Sequence, residues 1–324
     1  MKSTRRTFVL AASLAAACLG SATWAQTYPS KPISIVVAYP AGGDTDLLAR
    51  LFAEKLTTRL GQPVVVENRP GATGVIGSSF VAKAAPDGHT LLLTPGSLPY
   101  AQMVLKVGAS GGYDPLNGFT PIIQAGTVPL FLVAGASSGF KSFHDVVAAA
   151  KTGKVSYATA GTGSIHHILG EVVNKATGVR FDHVPYKGVA PAVNDVLGGH
   201  IPMTYISLGT VNPYLPGGKL VALAVADRVR TPLAPSVPTL SELGYKVDLN
   251  TWYGLFGPKG MPPGVVKTLN DNLNEILRMP DVVARMSSLG ATPVGGSPET
   301  LSKINAADFE RFGKIIKDLH IQAD

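Results

Sequence analysis

Cysteine is almost absent from this sequence, which contains a single one, Cys18, among 324 residues. Cys18 lies in a segment with the features of an export signal. Three basic residues come first, an apolar run follows over residues 8–20, and small residues precede a cleavage point after Ala25. Removal of residues 1–25 leaves a mature chain without a thiol. Disulfide bonds and cysteine chemistry are therefore excluded from the mature protein.

The route of export is open. Arg5 and Arg6 fit a twin-arginine signal, and an ordinary Sec signal with two adjacent arginines explains the same residues. A lipid anchor on Cys18 is the weaker interpretation, because Ala15 stands where a lipoprotein signal usually has leucine. Either export route predicts a periplasmic protein.

Charge and long apolar runs are also scarce. Charged residues make up 15% of the chain, and the net charge falls from +7 to +4 once residues 1–25 are removed. The basic residues are scattered and form no patch interleaved with aromatic side chains, so nucleic-acid binding is not expected. No stretch after the signal reaches the roughly 18–20 apolar residues of a membrane-spanning helix.

Short apolar runs alternate with segments of helical periodicity along the mature chain. We predict strands over residues 33–39, 64–66, 90–93, 130–133, 155–159, 181–185, 201–207, 220–226 and 251–256. We predict helices over residues 47–60, 71–85, 142–151, 165–176, 190–197, 263–277 and 297–319. Strands that alternate with helices predict βαβ units with parallel pairing, and hence an α/β fold.

A glycine-containing loop separates the first predicted strand from the first predicted helix. Its sequence is Pro40-Ala41-Gly42-Gly43-Asp44-Thr45-Asp46, and we call residues 40–46 the first glycine loop. Glycine leaves backbone N–H groups accessible and a helix N-terminus adds a partial positive charge, so such a loop can bind a carboxylate or phosphate. A tight turn in which Asp44 or Asp46 caps the helix explains the same pattern.

The same arrangement occurs a second time, between the strand at 155–159 and the helix at 165–176. Its sequence is Gly161-Thr162-Gly163-Ser164, and we call residues 161–164 the second glycine loop. Two such loops in separate parts of the chain can face one anion. Neither matches a nucleotide-binding fingerprint, because the third glycine of G-x-G-x-x-G is missing and no P-loop occurs.

Residues with catalytic or metal-binding chemistry do not form a recognisable set. His166 and His167 are adjacent and point about 100° apart on a helix, so they cannot easily share a metal ion. Ser164 lies near His167 but has neither a G-x-S-x-G elbow nor an acidic partner. We expect no cofactor, no metal and no catalytic residue. A binding receptor is favoured over two alternatives, an α/β enzyme acting on a small carboxylate and a ligand sensor for a membrane signalling partner.

Several motifs follow one another along nearly the whole mature chain. They are Pro40-Ala41-Gly42-Gly43-x-Thr45-Asp46, Glu67-Asn68-Arg69-Pro70-Gly71-Ala72, Pro86-Asp87-Gly88, Gly163-Ser164-x-x-His167-x-x-x-Glu171, His183-Val184-Pro185-Tyr186-Lys187-Gly188 and Trp252-Tyr253-Gly254. With these motifs the sequence resembles the Bug-type solute receptors of tripartite tricarboxylate transporters.

The resemblance implies a two-lobed, hinged periplasmic-binding-protein architecture of type II, with a mostly parallel sheet in each lobe. Lobe 1 would hold residues 26–126 and 250–324, and lobe 2 residues 127–249. A monomer would clasp a small carboxylate between the two glycine loops and pass it to membrane permease subunits. The candidate ligand-binding residues are Pro40, Ala41, Gly42, Gly43, Thr45, Asp46, Thr94, Ser97, Gly161, Thr162, Gly163, Ser164, His167, Tyr186, Tyr205, Ile206 and Ser207.

One departure from the family pattern bears on the ligand. The family often has Met-Phe-Asp-Ser where this chain has Thr204-Tyr205-Ile206-Ser207. Ile206 replaces an acidic side chain that could pair with an amino group, and no other acidic residue is evident beside it. We therefore expect a ligand without an amino group, either an aromatic acid or a diacid such as terephthalate, against the surface of Tyr205 or Ile206. If Ile206 faces the core instead, it carries no information about the ligand.

Overall fold

The structure, a computed structural model, describes residues 28–105 and 112–322, and the predicted export signal lies outside them. Within these residues, ten strands form a single sheet. The strands are β1 Ile33–Val37, β2 Val64–Asn68, β3 Thr90–Pro95, β4 Phe119–Gly135, β5 Val155–Thr159, β6 Phe181–Pro185, β7 Met203–Ser207, β8 Leu220–Val225, β9 Asn250–Pro258 and β10 Thr292–Pro293.

Helices cover the sheet and connect most of its strands. They are α1 Asp44–Leu60, α2 Val75–Ala82, α3 Ala101–Val104, α4 Phe143–Thr152, α5 Ile165–Thr177, α6 Val189–Leu197, α7 Leu208–Val211, α8 Pro263–Ile276, α9 Pro280–Ser288 and α10 Pro298–Asp318. In the part of the chain that the structure describes, no helix is long and apolar enough to cross a membrane. The predicted alternation of strands and helices is confirmed, and β5 and β6 match their predicted bounds residue for residue.

The strand order is β2-β1-β3-β9-β4-β7-β5-β6, and β8 and β10 also pair with β4. On one flank β1 pairs in parallel with β2 and β3, and on the other β5 pairs in parallel with β6 and β7. Strands β4 and β9 run antiparallel to their neighbours in the middle of the sheet. The α/β fold is therefore confirmed, with its parallel pairing in the two flanks.

Strand β4 is much longer than the predicted strand at 130–133. Its first part pairs with β9, as far as Pro129 opposite Asn250, and its second part pairs with β7 from Leu130 onward. Pro121 lies at a register shift in this pairing. Because proline cannot donate to a ladder, prolines inside a run argue against a strand, which is why the sequence pattern did not indicate the first part of β4.

Two hydrophobic clusters lie on opposite faces of the second flank. Tyr205 of β7 packs in the cluster that includes side chains of α4, α5 and α10, whereas Ile206 packs in the cluster that includes side chains of α6 and α7. This follows from the two-residue period of a strand, which sends neighbouring side chains to opposite faces. The ends of β1, β5 and β7 then carry the loops of the candidate site.

Candidate ligand site

The first glycine loop connects β1 to α1 and exposes its first four residues, 40–43. Gly43 is the N-cap residue of α1, and within the described chain no side chain caps this helix. The prediction that Asp44 or Asp46 caps the helix is therefore wrong. The N–H groups in the first turn of an α-helix have no intrahelical partner. The loop thus offers uncapped backbone donors, together with the positive end of a helix dipole, to an anion.

The buried side chain of Asp46 stabilises the first glycine loop. Its carboxylate is 2% exposed and accepts hydrogen bonds of 2.9 Å from the Gly42 N–H, from Arg50 Nε and from Asn68 Nδ2. Burial by itself would raise the pKa of Asp46, but the bonds from Arg50, Gly42 and Asn68 lower it below its usual range. Asp46 is thus held ionised, and it fixes Gly42, whose φ of +82° favours glycine.

Asp44 reaches a different part of the fold. Its carboxylate accepts a 2.6 Å hydrogen bond from Ser207 Oγ at the end of β7, and the Thr210 hydroxyl lies 3.2 Å from its other oxygen. The expectation that no acidic residue lies beside the end of β7 is wrong, because Asp44 comes from the other flank of the sheet. Burial raises the pKa of Asp44, and the bonds from Ser207 and Thr210 offset part of that rise. Among the described residues, no cation pairs with Asp44.

The second glycine loop connects β5 to α5, and both of its glycines have positive φ, +124° at Gly161 and +79° at Gly163. Ser164 caps α5, because its Oγ accepts from the His167 N–H at 3.3 Å. The Gly161 N–H donates to Thr159 Oγ1 at 3.2 Å, and the Gly163 N–H donates to His167 Nδ1 at 3.1 Å. Two backbone donors of this loop are therefore used inside the protein.

A pair of stacked histidines lies under the second glycine loop. The rings of His167 and His183 are 3.9 Å apart, with planes 11° from parallel, and His183 Nε2 lies 2.6 Å from Thr159 Oγ1. Burial, with a smaller contribution from His167, lowers the pKa of His183 to about 3. Burial also lowers the pKa of His166 to about 4. His167, a predicted ligand contact, is thus occupied by the loop and by His183.

Polar contacts connect the two glycine loops through the turn at Ala72–Gly74. Tyr39, which precedes the first glycine loop, donates from its hydroxyl to the Thr73 carbonyl at 3.1 Å, and Thr73 Oγ1 donates to the Thr162 carbonyl at 3.5 Å. The Tyr39 hydroxyl also lies 2.6 Å from Ser97 Oγ. Burial raises the pKa of Tyr39 to about 12, although the bond with Ser97 lowers it in part. Ala72 and Thr73 both have positive φ, of 47° and 49°, which stores strain at this connection.

Four of the predicted residues are engaged in the fold itself. Thr45 hydrogen-bonds to the Tyr253 side chain, and the hydroxyl of Tyr186 donates to Asp195 of α6. Thr94 is 1% exposed, and its hydroxyl donates to the Pro95 carbonyl at 3.4 Å.

Tyr205 is the fourth. It packs edge-on against Tyr157 with ring centroids 5.2 Å apart, and its hydroxyl is buried without a hydrogen-bond partner among the described residues. Ile206 is 2% exposed within its core cluster, which supports the interpretation that it carries no information about the ligand.

Sequence reasoning did not identify four residues that make hydrogen bonds between the parts of the candidate site: Tyr39, Asp44, Thr73 and Thr210. The sequence pattern indicates Asp44 only as a helix cap. The flanking glycines of Gly71-Ala72-Thr73-Gly74 could have indicated a tight turn, but nothing in the pattern indicates what that turn contacts. Over residues 28–105 and 112–322, no group of three or more His, Cys, Asp or Glu residues could hold a metal ion.

An α/β sheet with parallel flanks, two antiparallel strands between them and glycine loops at the strand–helix junctions of both flanks defines a solute-binding protein of the periplasmic type. Family comparison agrees and is more specific. The chain belongs to the family described as "Tripartite tricarboxylate transporter family receptor", which matches residues 48–321.

Individual proteins show the same relationship. The chain is 37% identical over 321 residues to "Protein BugT" of Bordetella pertussis, covering 98% of each chain. It is similar to the solved periplasmic binding protein BugD, with a TM-score of 0.84 and 33% identity over 92% of this chain and 100% of that one.

Two further solved structures contain ligands. The R. palustris protein Rpa4515 with adipate has a TM-score of 0.85 and 32% identity, covering 91% of this chain and 99% of that one. MatC from Rhodopseudomonas palustris with bound malate has a TM-score of 0.80 and 29% identity, covering 89% and 100%.

These comparisons confirm the predicted family and the periplasmic-binding-protein fold. The protein is an extracytoplasmic solute-binding receptor and not an enzyme, because its family is a family of receptors.

Proposed function

We propose that this receptor captures a small dicarboxylate between the first and second glycine loops and delivers it to the permease subunits of a tripartite tricarboxylate-type transporter. The two ligand-bound relatives hold adipate and malate, which both carry two carboxylates. Export through the Sec or the twin-arginine route would bring the receptor to the periplasm, where such a ligand arrives from outside.

The observation that carries this proposal is the pair of contacts between the flanks of the sheet. Asp44 bonds to Ser207, and Thr73 bonds to Thr162, so each glycine loop lies next to residues of the opposite flank. The first turns of α1 and α5 both begin in these loops, and a helix N-terminus favours a negative group through its dipole even where, as in α5, Ser164 caps one N–H. Two helix N-termini suit a ligand with two negative ends.

We propose that residues 26–126 and 250–324 form one lobe and residues 127–249 the other, and that they close on the ligand as a hinge. Near Pro129 the strand that pairs with β4 changes from β9 to β7, and few strands connect the two flanks. This change of partner supports the division into two lobes. A hinge at this point would separate Asp44 from Ser207 when the receptor opens.

The predicted preference for an aromatic acid has less support than the preference for a diacid. It depended on Tyr205 or Ile206 facing the ligand, and both side chains pack in core clusters. Terephthalate, an aromatic diacid, satisfies both predictions and belongs in any test. Amino diacids belong there as well, since Asp44 supplies a carboxylate beside the end of β7 that an ammonium group could pair with.

Thermal unfolding of the mature protein in the presence of adipate, malate, terephthalate, benzoate, hexanoate and glutamate tests the proposal. A true ligand at 100 times its dissociation constant adds about 2.7 kcal/mol to the free energy of unfolding. We expect at least one diacid to stabilise the protein clearly, while benzoate and hexanoate do not. Stabilisation by monoacids alone, or by none of these compounds, would contradict the proposal.

A further inference from the structure

Three side chains that belong to different elements control the shape of the second glycine loop. Thr159 at the end of β5 accepts the Gly161 N–H, and His167 of α5 accepts the Gly163 N–H. His183 of β6 connects these two, because its Nε2 lies 2.6 Å from the Thr159 hydroxyl and its ring stacks on His167. Both glycine N–H groups are therefore held by one connected set of side chains.

The contact with Gly163 restricts the protonation state of His167. A backbone N–H can only donate, so Nδ1 of His167 has to be an acceptor and cannot carry a proton. The ring is then neutral, with its proton on Nε2, and Nε2 lies 4.0 Å from Glu171 Oε1. A protonated ring would direct an N–H at the N–H of Gly163, and the contact would be lost.

We propose that His167, as the neutral Nε2-protonated tautomer, positions the second glycine loop for ligand binding, and that protonation of its ring releases the loop. In this role His167 is a positioning residue and does not itself contact the ligand. The predicted effect on ligand affinity rests on the proposed function, whereas the predicted effect on the conformation of the second glycine loop does not.

The surroundings of the two rings set the direction of the pH dependence. Glu171 of α5 is a carboxylate near Nε2 of His167; it accepts from the Tyr157 hydroxyl of β5 at 2.9 Å, and the ring of Tyr205 of β7 packs edge-on against Tyr157. Glu171 attracts a proton to His167, while the stacked His183 disfavours a second positive charge. A proton that His167 takes up as pH falls comes at the expense of the Gly163 bond.

Two substitutions separate the role of the Nδ1 acceptor from that of the ring. Asparagine places an acceptor oxygen near the position of Nδ1 and does not titrate, whereas glutamine extends to the position of Nε2 and leaves Gly163 without its acceptor. His167→Asn should therefore keep the conformation of the second glycine loop at every pH, and His167→Gln should disrupt that conformation at every pH. Thermal unfolding of both variants establishes that they fold.

The first measurement needs no ligand. Nitrogen NMR of histidine-labelled protein at pH 7.5 should find Nδ1 of His167 unprotonated, and the Gly163 amide should exchange slowly with solvent. The amide should exchange at least about tenfold faster in His167→Gln than in His167→Asn. A proton on Nδ1, or equal exchange in the two variants, would overturn the proposal whether or not the ligand is a carboxylate.

The second measurement is calorimetric titration with adipate and with malate at pH 7.5 and pH 5.5. We expect the parent to lose about tenfold or more in affinity at pH 5.5, which corresponds to the loss of one hydrogen bond. His167→Asn should bind with little dependence on pH, and His167→Gln weakly at both values. A parent-like pH dependence in His167→Asn would overturn the proposal. If the parent binds no diacid, the proposed function fails, and the NMR result alone decides the role of His167.

Discussion

The Asp44 carboxylate accepts a 2.6 Å hydrogen bond from the Ser207 hydroxyl, although the two residues are 163 positions apart in the sequence. The bond joins the start of α1 to the end of β7 and thus connects the two flanks of the sheet. A carboxylate that loses water on burial and gains only hydroxyl partners is costly to keep ionised. Asp44 therefore favours contact between the flanks through its hydrogen bonds and opposes it through its charge.

Asp44→Asn separates these two effects, because asparagine keeps an acceptor oxygen and removes the charge. The pKa of Asp44 is raised by burial, so its contribution to stability is full below the unfolded value of 3.8 and declines as pH rises through the folded pKa. At pH 7 the free energy of unfolding of Asp44→Asn should therefore exceed that of the parent, and the difference should vanish near pH 3.

Urea denaturation at several pH values measures this difference. Asp44→Ala serves as the control, because it removes both the charge and the acceptor, and it should be less stable than Asp44→Asn. A lower stability of Asp44→Asn at pH 7 would show that the ionised carboxylate is needed.

Removal of a negative charge beside the site should also strengthen adipate binding.

Gly43→Ala tests the first glycine loop. The added methyl would lie 3.5 Å from the Pro40 carbonyl, an ordinary contact, and Gly43 has extended backbone with φ of −79°. The fold should tolerate the substitution, but the methyl covers the donors of the first turn of α1 and should lower ligand affinity by about tenfold or more.

Gly217→Ala is the matched control for this variant, because a methyl there meets no described heavy atom within 4 Å. It should bind adipate like the parent. Affinity in Gly43→Ala equal to that of the control would show that the loop is only a turn. Calorimetric titration of both variants supplies the comparison.

Gly163→Ala tests the contact between the second glycine loop and α3. A methyl at Gly163 would lie 2.8 Å from Val104 Cγ1, in a residue with φ of +79°. At Gly178, where φ is +69°, a methyl meets no described atom within 4 Å. Gly178→Ala should thus cost only the roughly 1–2 kcal/mol of a left-handed residue, and Gly163→Ala should cost more.

The excess cost in Gly163→Ala should become smaller when Val104→Ala is added, since that change removes the Val104 Cγ1 at 2.8 Å and leaves its Cβ at 3.0 Å. Thermal or urea unfolding of the single and double variants gives the coupling free energy. Independent, additive effects would mean that the second glycine loop and α3 do not touch.

The low histidine pKa values predict the pH dependence of stability. The pKa values of His183 and His166 fall from 6.5 to about 3 and about 4. Below pH 6.5 the unfolded chain binds protons that the folded protein does not, so the free energy of unfolding should decline as pH falls from 6.5 toward 4. His183→Gln should flatten this decline. His144→Gln, which changes an exposed histidine on α4, should decline like the parent.

Local pattern predicted much of this fold and located both glycine loops of the candidate site. Both glycine loops could be located because each follows a compact apolar run and precedes an amphipathic one, as at 155–159 and 165–176. The partners of these loops could not be located. The approach of Asp44 to Ser207 and of Thr73 to Thr162 depends on how the flanks meet, which no local period encodes. Ile206 illustrates the same limit, because its position in the sequence does not reveal which face of β7 it occupies.

The receptor should bind both ends of a diacid, and a comparison of adipate with hexanoate tests this most directly. The two ligands share a six-carbon chain and differ in one carboxylate. A charged hydrogen bond is worth roughly 1.5–3 kcal/mol, so calorimetric titration of the mature protein should find hexanoate at least about tenfold weaker than adipate. Equal affinities for the two acids would contradict the claim.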